Sequence, residues 1–159
     1  MSNIGLPTDR IAGDFADRAA WLSPGGGPAP AGLAGRAFVV GALGGVISAK
    51  SVLARPGDVY VVDYSVRLIK PPKNGRPAHY VVGPMFLDSD GNVMSWGSVE
   101  QPLTEAERHS RVEALAPEGA SRAWLYLGGL WAPEDPQPDG LVAYTRASLE
   151  VLKTSTLGR

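Results

Sequence analysis

Apolar and polar side chains alternate with a period of two along most of the chain. In DVYVVDYSVRLI, Tyr60, Val62, Tyr64, Val66 and Leu68 fall on one side, and Val59, Val61, Asp63, Ser65 and Arg67 on the other. A strand sends successive side chains to opposite faces, so this pattern predicts a half-buried β-strand. HYVVGPMFLD repeats it: Tyr80, Val82, Pro84 and Phe86 oppose Val81, Gly83, Met85 and Leu87. SRAWLYLGGLW sets Ala123, Leu125 and Leu127 against Arg122, Trp124 and Tyr126. Further strands are predicted over AFVVGALGG, GVISAKSVLA, NVMSWGSVEQ, RVEALAP and LVAYTRASLEVL, with a short β element near IAGDF. Turn chemistry separates them: ARPGD, the Pro-rich KPPKNGRPA, a hairpin turn centred on Asp90-Gly91, PEG, and the acidic APEDPQPDG. LTEAERHSR predicts either one helical turn begun by Thr104, with Glu107 three residues on, or a loop.

About eight or nine short strands with no βαβ alternation predict an all-β, antiparallel two-sheet β-sandwich of the jelly-roll kind, as a single domain. Its expected extent is residues 11–152. Residues 1–10 form an N-terminal arm, residues 153–159 a C-terminal tail, and AAWLSPGGGPAPAGLAG a surface loop.

Composition sharpens this picture. The 20 glycines and 14 prolines among 159 residues exceed average usage of about 7% and 5%, and they lie between β-rich runs. A formal net charge of −1 argues against a nucleic-acid footprint. The absence of cysteine removes disulfides, thiolate metal sites and cysteine nucleophiles. No apolar run is long enough for membrane insertion as a helix, and MSNIGLPTDR does not resemble a secretory signal.

Catalytic chemistry finds little support. His79 and His109 are the two histidines, and no metal-ligand spacing surrounds either. No nucleophile elbow accompanies a Ser-His-Asp set. Asp88 and Asp90 flank a turn, where aspartate caps backbone amides, and Glu134, Asp135 and Asp139 sit in a Pro-rich loop. No carboxylate pair is set to face a common cleft as a glycosidase requires. SPGGGPAPAGLAG is glycine-rich but lacks the lysine of a phosphate loop. The expectation is a non-enzyme without cofactor.

Three short motifs occur in a familiar order. They are Pro56, Gly57 and Tyr60; Phe86, Asp88, Asp90 and Gly91; and Ala116, Pro117, Gly119 and Ala120, preceded by GDF and AAW. Over residues 11–152 the chain resembles a jelly-roll carbohydrate-binding module of the cellulose- and xylan-binding type, within the galactose-binding-like fold. The resemblance implies sugar binding on the concave outer face of one sheet. Such modules also serve as accessory domains in bacteriophage and gene-transfer-particle proteins. That implies a virion or phage-like particle, assembled in the bacterial cytoplasm, with several copies present and termini docked on other particle proteins. It implies as well a structural calcium between the N-terminal acidic segment and an aspartate of the last strand. Here that place falls near Thr145 or Arg146, where a guanidinium repels a cation, and Asp14 alone cannot supply enough oxygen ligands. The expectation is no metal, with Arg146 paired to Asp14.

Tyr60, Tyr64, Phe86 and Trp21 fall on aliphatic faces and are assigned to the core. Trp124 and Tyr126 oppose the aliphatic face of their strand and are expected to be surface rather than a second core. If the strands around residues 58–68, 80–87 and 122–127 share a sheet, then Asp63, Arg67, Met85, Arg122, Trp124 and Tyr126 converge as a polysaccharide site. Aromatic rings would stack on pyranose C–H bonds, and Asp and Arg would hold the hydroxyls. Trp96 and Trp131, near strand ends, either rim the groove or cap the barrel. The competing reading is a structural virion protein whose aromatic face packs on neighbours; a glycan-modifying enzyme is the third.

Overall fold

The computed structural model describes residues 10–12, 21–22, 32–33, 37–42, 44–73, 75–104, 106–132, 134 and 137–152. The arm at residues 1–9, Asp14, most of the Gly/Pro loop and the tail lie outside them. The described residues form β1 (Arg10–Ala12), β2 (Trp21–Leu22), β3 (Gly32–Leu33), β4 (Ala37–Gly41), β5 (Gly45–Ser48), β6 (Val52–Leu53), β7 (Val59–Lys70), β8 (Tyr80–Asp88), β9 (Val93–Ser95), β10 (Ser98–Glu100), β11 (Arg108–Leu115), β12 (Ala120–Leu130) and β13 (Leu141–Leu152). One sheet, A, runs β11-β7-β13-β4-β3, with β1 also on β13. The other, B, runs β10-β8-β12-β5-β2, with β6 on β12 and β9 on β8. Every pairing is antiparallel. The chain is an all-β, two-sheet sandwich, as its alternation predicts.

The inward faces carry the expected residues. Tyr60, Val62, Tyr64 and Val66 of β7 meet Tyr80, Val82 and Phe86 of β8 and Ala123, Leu125 and Leu127 of β12 in one buried cluster. Trp21 packs edge-on against Phe38 at 5.2 Å, and Tyr60 against Phe86 at 5.2 Å. β7 and β8 face each other across this core instead of sharing a sheet. The link over residues 71–79 holds three prolines, too stiff and too long for a two-residue hairpin, and it carries the chain from sheet A to sheet B.

Two segments depart from the simple pattern. No helix occurs among the described residues, and β11 begins at Arg108, ahead of RVEALAP. The Arg108 guanidinium donates to the carbonyls of Gln101 (2.8 Å) and Pro102 (2.7 Å). These bonds tie the start of β11 to the segment that precedes it. NVMSWGSVEQ divides into β9 and β10 at Trp96-Gly97. Gly97 has φ +112°, and a Cβ there would lie 2.8 Å from the Val82 carbonyl carbon. Two backbones meet too closely for any side chain, and the ladder breaks opposite Gly83 and Pro84.

Buried hydroxyls bond to one another and to stray carbonyls. Tyr64 and Tyr80 share a hydrogen bond of 2.6 Å between the sheets. The Tyr144 hydroxyl donates to the Gly128 carbonyl at 2.6 Å, where a shift in β12 register breaks the ladder between Leu127 and Leu130. Burial pushes the phenols of Tyr64, Tyr126 and Tyr144 above their ordinary value. A folded pKa above the unfolded one, about 10, gives stability that is complete below pH ~10 and is lost as pH rises beyond it. In an alkaline titration Tyr64 and Tyr144, two of the five tyrosines, are expected to ionise only as the sandwich unfolds, so their phenolate absorbance and circular dichroism change together. Ionisation of all five with the fold intact would contradict this.

Candidate aromatic cleft on sheet B

The structure divides the predicted site residues between two faces. Asp63 and Arg67 lie on the outer face of sheet A, because β7 belongs to that sheet. Met85, Arg122, Trp124 and Tyr126 share the outer face of sheet B. The six therefore do not converge. Nor is the second group simply surface. Met85 (4% exposed) and Tyr126 (8%) join Ile47 and Val81 in a second small apolar cluster, against which Leu22, Leu87 and Trp124 pack. The expectation that this face carries no second core is corrected: a broad sheet with a neighbouring strand on each side gives its outward apolar residues enough partners to bury one another. Arg122 stays exposed, and its Nε donates to Ser51 Oγ at 2.7 Å.

On sheet A, Asp63 is the hub of a polar cluster. His109 Nε2 lies 3.1 Å and Arg146 Nη2 3.5 Å from Asp63 Oδ1, while His109 Nδ1 meets Ser65 Oγ at 3.1 Å. Neither approach to Asp63 Oδ1 has hydrogen-bond alignment. Ser65, His109 and Asp63 thus form a chain of catalytic residue types, but Ser65 is 5% exposed and its hydroxyl is closed to a substrate carbonyl. Arg146 meets Asp63; its expected partner Asp14 lies outside the described residues. Among the described residues no three His, Asp or Glu side chains gather as a metal site.

The outer face of sheet B holds a cleft of about 650 Å³. Its floor is Tyr126. Gly45 and Gly128 are cross-strand partners, and the Tyr126 ring fills the space where their side chains would stand. A Cβ would lie 2.6 Å from its Cε1 on Gly45 and 2.8 Å from its Cε2 on Gly128. A ring laid over paired strand glycines restores the contacts that the glycines lack. Trp96, placed by the break at Gly97, stands edge-on to Tyr126 at 5.4 Å. Trp131 closes the far side. Its backbone N–H donates to the His79 carbonyl at 2.8 Å, and His79 Nδ1 bonds the Glu100 backbone carbonyl at 2.9 Å. A carbonyl only accepts, so Nδ1 carries the proton. Val81 and Val99 complete the walls, and no described lining residue is charged. Trp96 (43% exposed) and Trp131 (46%) are open to solvent. The burial that raises the Tyr126 pKa keeps its phenol neutral.

Of the predicted residues the cleft uses Tyr126 alone. Trp96 and Trp131 rim it, one of the two roles their sequence positions leave open. Both fall in runs predicted as strands, but the structure ends β9 at Ser95 and β12 at Leu130, so the alternation of those runs does not place them.

No protein-family model matches the chain, and no curated protein matches it. Solved structures do. The second N-terminal cellulose-binding domain of Cellulomonas fimi β-1,4-glucanase C is similar over 90% of this chain and 92% of its own, with 13% identity and a TM-score of 0.55. The enzymatically active domain of bacteriophage CBA120 tailspike protein 4 is similar over 89% of this chain, with 12% identity and a TM-score of 0.53. An arabinose-bound α-L-arabinofuranosidase, MgGH51, is similar over 89%, with 15% identity and a TM-score of 0.50. This chain spans 20% of the tailspike chain and 24% of the arabinofuranosidase chain. The two-sheet β-sandwich fold is shared with the cellulose-binding domain.

Proposed function

We propose that this chain is a non-catalytic glycan-binding domain, and that the cleft on sheet B receives a neutral pyranose. One observation carries the reading: two exposed tryptophans and a tyrosine floor line an uncharged cleft of about 650 Å³. Ring faces attract the weakly positive C–H face of a pyranose, and the apolar walls exclude water from the contact. The uncharged lining favours a neutral polysaccharide over an acidic one. Its likeness in fold to a cellulose-binding domain supports the class of ligand. Likeness to a phage tailspike domain supports a setting on a phage-like particle, with host surface polysaccharide as the target and several copies raising a weak affinity per site.

Affinity electrophoresis against a panel of neutral and acidic polysaccharides tests the proposal. Trp96→Ala and Trp131→Ala are each expected to weaken binding about tenfold or more, because aromatic anchors carry most of such binding energy. Trp124→Ala, outside the cleft lining, is expected to leave binding within about threefold. Failure of the wild type to bind any glycan, or equal effects at Trp96 and Trp124, would sink the reading and favour a structural role in a particle.

A further inference from the structure

Strand β11 borders sheet A. Its eight residues pair one-to-one with β7 without a bulge, and among the described residues no strand pairs with its other edge. A long regular border without proline offers a row of N–H and C=O groups to a second strand. Its outward side chains decide which strand fits. Arg111 and Glu113 lie on the outer face of sheet A, 3.4 Å apart and 55% and 56% exposed. Val112, between them, faces the core.

Charge around Val112 is antisymmetric. When two copies of β11 lie antiparallel with Val112 opposite Val112, each Arg111 falls opposite Glu113 of the other copy. Opposite charges in directly facing positions stabilise a strand pair, and like charges oppose it. Sliding the register by two residues either way sets Arg111 against Arg111 or Glu113 against Glu113. Sliding by one turns core-facing residues to solvent. A single register therefore satisfies both charge and burial. It also sets Leu115, 64% exposed and the most exposed large apolar residue described, opposite His109 of the other copy.

We propose that β11 pairs antiparallel with β11 of a second copy of this chain, about a twofold axis at Val112, joining two A sheets into one. The interface lies wholly in sheet A. The cleft residues Trp96, Tyr126 and Trp131 take no part, so the pairing stands or falls independently of glycan binding. Two copies related in this way would present two clefts to one polymer.

Sedimentation equilibrium across about 1 μM to 1 mM tests it. The wild type is expected to dimerise. Arg111→Glu leaves two acidic side chains on the border and Glu113→Arg two basic ones, so each variant alone is expected to bind itself about tenfold more weakly or worse. Mixed in equal amounts, the two variants are expected to form a heterodimer, because every facing pair is again opposite in charge. Both positions are exposed, and circular dichroism verifies that each variant is folded. A wild type that stays monomeric throughout overturns the proposal. So does a dimer indifferent to both substitutions, or a mixture of folded variants that fails to associate.

Discussion

Gly129→Ala is expected to cost about 3 kcal/mol or more of folding stability, a fall in melting temperature of about 6–12 °C at roughly 2–4 °C per kcal/mol. The added methyl would collide with the Gly41 carbonyl oxygen. The Gly41 oxygen is backbone and a Cβ has no rotamer, so no side-chain rotation relieves the contact. The surrounding loop is already tied down: Gly129 N–H donates to the Gly44 carbonyl, and Gly44 N–H to the Gly41 carbonyl, each at 2.9 Å. Gly41→Ala is the internal control. Nothing lies within 4 Å of a Cβ at Gly41, so that change is expected within about 1 kcal/mol of wild type, on the stabilising side through reduced freedom of the unfolded chain. Thermal unfolding of both variants measures the contrast. Equal melting temperatures would show that the approach of β12 to β4 is not as tight as described.

Tyr126→Ala is expected to cost about 3 kcal/mol and to abolish glycan binding, whereas Tyr126→Phe keeps both stability and binding within about 1 kcal/mol. The ring is what matters structurally. It covers Gly45 and Gly128, and it supports Trp96. Alanine would leave that pair of strand glycines bare and a hole beneath Trp96. The hydroxyl contributes less, since its bond to the Gly44 carbonyl is 3.4 Å long. Chemical denaturation gives the stability difference, and the polysaccharide assay gives the binding. If phenylalanine abolishes binding with the fold intact, the hydroxyl itself holds the sugar. If alanine leaves binding unchanged, the cleft is not the glycan site.

Much of this was legible in the chain. Alternation places Tyr60, Tyr64, Phe86 and Leu125 in the core, because a strand with one buried face must write that face at every second position. Turn chemistry places the hairpin at Asp88–Asn92, where Asp88 Oδ1 accepts the N–H groups of Asp90 and Asn92 at 2.9 Å each. Alternation also separates Trp124 and Tyr126 from the core face of β12. It is silent about which strands share a sheet. Asp63 and Arg67 repeat the outward pattern of Met85 and Tyr126, yet they stand on opposite sides of the molecule, since β7 and β8 pack across the core.

The two-sheet fold, its core and the outward side of each long strand follow from the sequence, because period-two burial is a local property that neighbouring residues record. The cleft was decided by tertiary structure. It needs Trp96 set by a backbone crossing at Gly97, Trp131 held by a bond to the His79 carbonyl, and the Tyr126 ring laid over glycines of two strands. Each of those contacts joins residues distant along the chain, and none leaves a periodic trace. The charges at Arg111 and Glu113 stand in plain view in the sequence. Only the discovery that β11 is a border of its sheet gives them a partner to choose.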